Sequence, residues 1–364
     1  MRAFFLLLSL ACLLSTGHAS PKAESVSNAC GCSAQETWLD IVFVIDASDN
    51  LTPKEFRNAK YIMTGTLEYM TMGSAAHQTR LGVVTYSDVV TVNYAFGSIN
   101  SPTDLSSIVL PSLGSKASNV SGALETAESM LSTRRGRTPR VVFLVAGAYS
   151  FSPSASVVAD RLKVDGVIIM TAEIRQKNET SFFSALAPLA SKGYTFSSQQ
   201  DIAFSRLLLL DAFCDANCFC DSPSYKPYTK GNVRGTPIGG CFAAMPNAVS
   251  YTAAKADCHS VPGHFVTSVD DGAQDFFLIS IFESPKIPFW IGYVFDGLVY
   301  RWDDGHASNY TNWGRGQPSL DQGFCTYSVQ SGGFKSQWFS APCDGFNQRY
   351  VCSALPCGAT NACV

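Results

Sequence analysis

Cysteine is the residue type in this chain with the most evident chemistry. The sequence contains 13 cysteines, and Cys12 lies in an apolar N-terminal stretch that is predicted to be removed. An even number would then remain, which in a secreted protein predicts a fully paired disulfide framework. The remaining positions are Cys30, Cys32, Cys214, Cys218, Cys220, Cys241, Cys258, Cys325, Cys343, Cys352, Cys357 and Cys363.

Cys30 and Cys32 form a C-x-C pair, which could also bind zinc or carry out redox chemistry. No histidine lies nearby in sequence, and an oxidising compartment favours structural disulfides. Because the ends of a compact domain often lie close together, we expect this pair to be crosslinked to Cys214 and Cys218. The sequence does not fix which cysteine of one pair bonds which cysteine of the other.

The first residues predict secretion. Arg2 precedes the apolar run from Ala3 to Leu14, and Gly17-His18-Ala19 offers small residues for cleavage, so residues 1–19 are predicted to be a signal peptide. No later stretch reaches ~18 uninterrupted apolar residues, so no transmembrane helix is predicted. The formal net charge is −3 and no Lys/Arg cluster exists, so nucleic acid is not an expected partner.

Catalytic chemistry is not expected. The sequence has no H-E-x-x-H, G-x-S-x-G, P-loop or G-x-G-x-x-G motif. Of the five histidines, His259 follows a cysteine and His264 follows a Pro-Gly turn, and nothing in the sequence assigns either a role in a catalytic site. The prediction is a non-enzymatic protein without a cofactor.

Four apolar stretches indicate the fold of the first half. They occupy residues 39–45, 81–86, 141–145 and 166–170. Amphipathic segments lie between them, including residues 53–72 and 122–131. Strands that are apolar on both faces and that alternate with helices predict a parallel sheet covered on both sides. The expected fold of residues 37–213 is therefore a doubly wound α/β domain of the Rossmann type.

Polar residues follow the first of these stretches. Asp46-Ala47-Ser48-Asp49-Asn50 comes directly after it, Ser118 to Leu124 opens a later helical segment, and Val145-Ala146-Gly147 ends a further strand. In these features residues 37–213 resemble a von Willebrand factor A domain. In that family a D-x-S-x-S loop, a threonine and an aspartate hold a divalent ion at the carboxyl ends of the strands.

The resemblance assigns Asp46 and Ser48 to the ion-binding loop. Asn50 replaces its second serine, Ser118 replaces the threonine, and Ala146 replaces the aspartate. Mg²⁺ requires near-octahedral oxygen ligands, and an alanine side chain has none to offer. We therefore expect a retained scaffold whose metal site is lost. A metal-dependent adhesion site at the surviving remnants, Asp46, Ser48 and Ser118, is the alternative.

Four sequons predict N-linked glycans. Asn50 and Asn119 would place sugar on the loops that the resemblance assigns to the ion, and Asn178 would place it elsewhere on the first domain. Asn309 is the fourth predicted site.

The second half combines cysteines and tryptophans in a particular order. Trp290-Ile291-Gly292, Trp302-Asp303-Asp304-Gly305 and a terminal Tyr350-Val351-Cys352 are its main motifs. This order resembles the α+β C-type lectin-like domain over residues Asp221 to Ser353. The resemblance implies disulfides Cys258–Cys352 and Cys325–Cys343, and Cys220 with Cys241 indicates the longer variant of the domain. Cys357 and Cys363 most simply pair with each other.

The resemblance also implies where calcium would bind. In the family, an E-P-N or Q-P-D triplet and a W-N-D triplet hold Ca²⁺, and here they are Gln317-Pro318-Ser319 and Trp338-Phe339-Ser340. Asp321 is the only carboxylate left between Gly314 and Cys343. Calcium collects about 6–8 oxygens, so we expect no bound metal here.

Aromatic residues near this segment could still contact a ligand. Trp338, Trp313 and Tyr310 are candidates for stacking on sugar rings or protein side chains, together with Gln317.

The sequence as a whole resembles secreted nematode-type proteins that pair these two domains. The expected organisation is a signal peptide (1–19), a cysteine-containing segment (20–36), the α/β domain (37–213), a joint (214–220), the lectin-like domain (221–353) and a tail (354–364). The predicted function is extracellular recognition of glycans or proteins, with a role in innate immunity implied by the resemblance. The alternative is a structural or adhesive scaffold without affinity for sugar.

Overall fold

The structure is a computed structural model that describes residues 30–31, 33–111, 115–147, 151–174, 185–197, 206–282, 286–332, 335–359, 361 and 363. The predicted signal peptide, Cys32 and Asn178 lie outside the described residues. No helix in the described part of the chain is both long enough and apolar enough to cross a membrane.

The first domain alternates strands and helices. Its elements are β1 (Asp40–Asp46), α1 (Pro53–Leu67), β2 (Arg80–Tyr86), β3 (Val90–Tyr94), α2 (Val120–Leu131), β4 (Arg140–Ala146), α3 (Pro153–Val164), β5 (Val167–Glu173), β6 (Thr195–Ser197) and α4 (Arg206–Ala216). Short 3-10 helices cover Ala34–Glu36 and Pro102–Ser107. The sheet order is β3-β2-β1-β4-β5-β6, and only the edge strand β3 is antiparallel to its neighbour.

Alternate side chains of β1 enter two separate cores because a strand projects successive residues to opposite faces. Ile41, Phe43 and Ile45 pack in the core that contains α1 and α4. Val42 and Val44 pack in the core that contains α2 and α3. The predicted doubly wound sheet, covered on both faces, is therefore confirmed.

The first helix is shorter than its apolar pattern predicted. The sequence favoured a helix to residue 72, but α1 ends at Leu67. Met70 and Met72 are nevertheless buried, and Met72 forms a β-bridge with Thr79. Apolar residues continue past the helix end because the returning chain also needs to cover the core.

The second domain is built around a mixed sheet. Its elements are β7 (Lys226–Pro227), β8 (Cys241–Val249), α5 (Tyr251–Cys258), β9 (His264–Val266), α6 (Gly272–Ser280), β10 (Phe289–Ile291), β11 (Tyr293–Phe295), β12 (Tyr300–Trp302), β13 (Cys325–Gly332), β14 (Lys335–Ala341) and β15 (Gln348–Ala354). The main sheet has the order β14-β13-β10-β15-β8-β7, with β9 also paired to β15, while β11 and β12 form a separate hairpin. Trp290 is fully buried and Trp302 nearly so, as expected for core residues.

Disulfides crosslink the second domain, bond it to the joint, and bond the joint to the segment that precedes the first domain. The described pairs are Cys30–Cys218, Cys220–Cys241, Cys258–Cys352, Cys325–Cys343 and Cys357–Cys363, and Cys214 is also disulfide-bonded. Cys258–Cys352 and Cys325–Cys343 match the pairings that the resemblance implied, and Cys30–Cys218 is one of the crosslinks expected at the joint. The terminal pair matches the simplest assignment for the tail.

Polar contacts hold the joint between the domains. Asn217 is buried, its Nδ2 donates to the Trp38 carbonyl oxygen (2.9 Å), and its Oδ1 accepts from the Trp38 amide (3.3 Å). The Trp38 indole donates to the carbonyl oxygen of Gly358 in the tail (3.3 Å). Arg234 of the second domain forms an ion pair with Asp215 at 2.6 Å. The start of β1, the end of α4 and the C-terminal tail are thus bonded to one another.

The two lectin-type disulfides should contribute unequally to stability. Cys258–Cys352 spans 94 positions and Cys325–Cys343 spans 18. Chain-entropy estimates give about 5 kcal/mol for the longer loop and about 3 kcal/mol for the shorter one. Replacing both cysteines of one pair by alanine should therefore lower the free energy of unfolding more for Cys258/Cys352, as measured by urea denaturation of the full chain. Equal losses, or the reverse order, would contradict the loop-closure argument.

Candidate functional site

Asp46 ends β1 at the edge of the first sheet where the resemblance implied an ion. The residue is fully buried, its Oδ1 accepts from the Ser48 amide (2.9 Å), and its Oδ2 accepts from the Gly147 amide (3.3 Å). Burial raises the pKa of Asp46, because the charged carboxylate loses its hydration, and the hydrogen bonds from Ser48 and Gly147 partly oppose this rise. The carboxylate is therefore held by backbone amides of its own chain.

The Ser48 hydroxyl is engaged by Asn50. The backbone amide and the Nδ2 atom of Asn50 both donate to Ser48 Oγ, at 3.3 and 2.9 Å. The same Nδ2 also donates to the carbonyl oxygen of Lys116 (3.1 Å). Asn50 thus connects the loop after β1 to the loop before α2. Both hydrogens of Asn50 Nδ2 are therefore used in hydrogen bonds. Asn119, the other predicted glycosylation site at this edge, is the N-cap of α2 and is exposed.

Ala146 and Glu173 end neighbouring strands at this edge. They are register partners on β4 and β5, and both are fully buried. The methyl group of Ala146 offers no ligand atom. The apolar stretch that predicts this strand ends at Met170, so the sequence pattern does not indicate Glu173. The hydroxyl oxygen of Ser118 is buried in the loop before α2.

In the second domain, hydrogen bonds connect the two segments that the resemblance assigned to calcium. The Oε1 atom of Gln317 accepts from the backbone amides of Ser319 (3.2 Å) and Ser340 (2.9 Å). Its Nε2 donates to the side-chain oxygen of Gln322 (2.8 Å), and Ser340 Oγ accepts from the Ser319 amide (3.1 Å). We call Gln317, Ser319, Gln322 and Ser340 the Gln317 network. The peptide bond from Gln317 to Pro318 is cis.

The ligand set around this network contains little negative charge. Asp321 is exposed, and among the described residues of this segment it is the one carboxylate. Phe339 stands where the family has an asparagine, and its ring stacks on Tyr327 with centroids 5.7 Å apart. A Cβ atom on Gly314 would lie 2.7 Å from the Phe339 ring, so the loop passes directly over it. An aromatic ring therefore fills the space next to Ser340.

The aromatic candidates are less accessible than a ligand-binding role requires. Trp338 is 0 % exposed, so the expectation that it stacks on a ligand is wrong. Its indole packs between Trp302, Trp313 and Tyr310, with centroid distances of 5.5–5.9 Å. Trp313 and Tyr310 are partly exposed. Trp338 is buried because β14 directs it, with Ser336 and Ser340, to the covered face of the sheet.

Asp275 on α6 organises the polar groups around Trp338. It is 1 % exposed, and its Oδ2 accepts from Ser336 Oγ, from Asn312 Nδ2 (2.9 Å) and from Trp338 Nε1 (3.2 Å), with a weak contact from the Tyr310 hydroxyl (3.4 Å). No motif in the sequence points to this residue. A charged residue inside the otherwise apolar pattern of α6 was the available signal.

Large apolar side chains are exposed in two adjoining loops near the Gln317 network. Leu298, Val299, Leu320 and Phe324 are 47–85 % exposed, and we call them the apolar strip. The loops adjoin because the amide of Phe295 donates to the carbonyl oxygen of Phe324 (2.9 Å). Sequence analysis missed this strip, since exposure depends on the tertiary fold.

Three of the described histidines contact an acid or a phenol, and the fourth, His77, packs edge-on against the Trp38 ring. His259 contacts Asp303 and His306 contacts Asp270, each at 2.7 Å. His264 Nδ1 lies 2.7 Å from the Tyr225 hydroxyl, and burial lowers the pKa of this histidine. The carboxylate of Asp221 and two sulfurs, those of Cys357 and Cys363, also lie close together, but the sulfurs are bonded to each other.

Comparison with known families identifies both domains. The model of the von Willebrand factor type A domain matches residues 40–207, and that of the lectin C-type domain matches residues 247–354. The chain therefore combines a von Willebrand factor A domain with a C-type lectin domain. These are binding domains, and together they characterise an extracellular recognition or adhesion protein. The disulfides are consistent with secretion.

Individual relatives are distant. The chain is 24 % identical over 362 residues to C-type lectin domain-containing protein 160 of Caenorhabditis elegans, and the match covers 92 % of this chain but 56 % of that protein. Human lithostathine is 21 % identical, with 37 % of this chain and 98 % of that one covered and a TM-score of 0.31. Proximal thread matrix protein 1 from the mussel byssus, with a zinc-occupied MIDAS motif, is 21 % identical, with 50 % and 48 % covered and a TM-score of 0.40.

The burial of Trp338 predicts a loss of stability when it is truncated. Trp338→Ala should lower the free energy of unfolding by about 3–5 kcal/mol, because it leaves a cavity and removes a donor from Asp275. Phe324→Ala, an exposed aromatic in the same domain, should change it by no more than about 0.5 kcal/mol. Chemical denaturation of the full chain measures both. A Trp338→Ala protein as stable as the Phe324→Ala control would contradict the buried position.

Proposed function

We propose that this chain is a secreted recognition protein whose lectin domain binds glycans without calcium. The Gln317 network carries this proposal. Its oxygens already receive donors from the chain, and three positions that supply amide or carboxylate oxygen in the family are Ser319, Phe339 and Ser340 here. Calcium affinity depends on the number of charged oxygen ligands, and this segment has too few to bind it.

We further propose that the A domain acts without a divalent cation. Asp46 ends β1, and its two oxygens accept hydrogen bonds from backbone amides, whereas Asp49 in the following loop is exposed. Ser48 is capped by Asn50, and Ala146 contributes nothing. The donor set does not fit Mg²⁺, so we assign no binding step to an ion at this edge.

The proposed chain has a signal peptide at residues 1–19, an A domain at 37–213 and a lectin-like domain at 221–353, and the mature chain lies outside the cell. Glycans are proposed at Asn119 and Asn309, which are both exposed. A role in innate immunity rests on the resemblance to secreted nematode proteins.

A glycan array with the full secreted chain tests the proposal. The same glycans should bind in calcium and in excess chelator, with signals that agree within about twofold. A set of glycans that is lost in chelator would contradict calcium-free recognition.

A designed variant provides the control for calcium. Ser319→Asp, Phe339→Asn and Ser340→Asp together restore the family's ligand triplets. Calcium at 100 times its Kd stabilises a folded protein by about 2.7 kcal/mol, so the thermal midpoint of this triple variant should rise in calcium. The wild type should show no rise under the same conditions, and an equal shift in the wild type would show that its own residues bind the ion.

Magnesium titration tests the A domain. Binding at 100 times Kd would contribute about 2.7 kcal/mol and raise the midpoint by roughly 5–10 °C for a domain of this size. We expect no such shift in the wild type or in Asp46→Ala, in Mg²⁺ or in Zn²⁺. A shift that appears in the wild type and is absent from Asp46→Ala would establish a working metal site.

An adhesive scaffold without affinity for sugar is the second candidate. The apolar strip favours it, because exposed apolar side chains grouped in one place are typical of protein contacts. An array without bound glycans, together with self-association or binding to matrix proteins that Phe324→Ala weakens, would favour this candidate.

A further inference from the structure

A cleft between α6 and β14 contains the polar groups around Asp275. It has a volume of about 290 Å³, and Asp275, Phe276, Tyr310, Asn312, Ser336 and Lys335 are among its lining residues. We call it the Asp275 cleft. Ser336 lines the cleft and Ser340 belongs to the Gln317 network, four positions apart on β14. At about 3.3 Å per residue, some 13 Å of strand separate Ser336 in the cleft from Ser340 in the Gln317 network.

Asp275, one of the residues that line the cleft, has a carboxylate oxygen without a donor among the described residues. Asp275 Oδ2 receives its hydrogen bonds from Ser336, Asn312, Trp338 and Tyr310, and these fix the orientation of the carboxylate. Asp275 Oδ1 is buried and accepts no hydrogen bond from any described residue. Leaving such an acceptor unpaired costs about 1–3 kcal/mol. A ligand hydroxyl that reaches it would remove this cost.

Aromatic rings border the same space. Phe276 follows Asp275 on α6 and is 41 % exposed. Tyr310 lines the cleft, and burial together with the Asp275 charge raises its pKa to about 12, so its hydroxyl stays protonated at neutral pH. A flat apolar face beside hydroxyl and carboxylate groups matches a pyranose, which has an apolar C–H face and a hydroxyl rim.

We propose that the Asp275 cleft binds one neutral hexose unit of a glycan, without a metal ion. The inference rests on the proposed function and locates its site. The two charged lining residues, Asp275 and Lys335, have opposite signs, which favours a neutral ligand over an anion or a cation. The volume lies at the lower end of the range for small-molecule sites, which suits a single sugar ring. One carboxylate oxygen is already saturated, so a cation would find too few free ligands.

Two matched pairs of variants test the cleft. Phe276→Ala and Tyr310→Phe alter its rim, while Phe324→Ala and Tyr300→Phe make the same changes beside the Gln317 network. Tyr300 is a close match, because its hydroxyl also makes one weak contact of 3.4 Å, with Ser340 Oγ. Each full-length protein is titrated with the glycans that bind the wild type on the array, in chelator, and its thermal midpoint is recorded to confirm folding. Lys335→Ala, at an exposed position, is an additional cleft variant that should not impair folding.

The cleft variants should bind at least tenfold more weakly, and the two controls should stay within twofold of the wild type. If the controls lose affinity and the cleft variants keep it, the cleft inference is wrong while calcium-free recognition stands. If the wild type binds sugar only in calcium, the proposed function itself fails. An array without any bound glycan overturns the cleft inference and favours the scaffold.

Discussion

Two backbone amides, those of Ser319 and Ser340, converge on the side-chain oxygen of Gln317, and these bonds hold the loop around Gln317 against β14 in the lectin domain. In a calcium site, oxygens that face one another repel, and the ion compensates for their charge. Here serine and phenylalanine have replaced the acidic and amide ligands, so there is little charge to compensate. Donors from the chain satisfy the remaining oxygen, each bond contributing about 0.5–1.5 kcal/mol.

In the A domain, hydrogen bonds from the chain also engage the residue that corresponds to an ion ligand in the family, Asp46. Asp46 keeps its carboxylate in a fully buried position, where burial raises its pKa. Backbone amides from Ser48 and Gly147 offset part of the desolvation cost, and the Asn50 side chain fixes the neighbouring loop. Ala146, which offers no ligand atom, thus lies at the same edge as an aspartate that backbone amides hold in place.

Burial also changes what the aromatic residues can do. The stacked rings near β14 are mostly part of the core, and Trp338 uses its indole to orient Asp275 rather than a ligand. The apolar strip and the rim of the Asp275 cleft contain aromatic side chains that remain exposed, Phe324 and Phe276. A polar network around a buried acid gives the cleft a defined shape, because every partner of Asp275 Oδ2 has a fixed position.

The sequence by itself determined the two fold classes, because strand and helix periodicity and the order of cysteines and tryptophans are local or nearly local patterns. It also determined that few ligands survive at the family's ion sites, since ligand identity is read directly from residue type. Tertiary structure alone decided that Trp338 is buried, that Asp275 receives donors from two distant segments, and that Leu298 and Phe324 lie in adjoining loops. These facts depend on which distant segments pack together, and no single stretch of sequence contains that information.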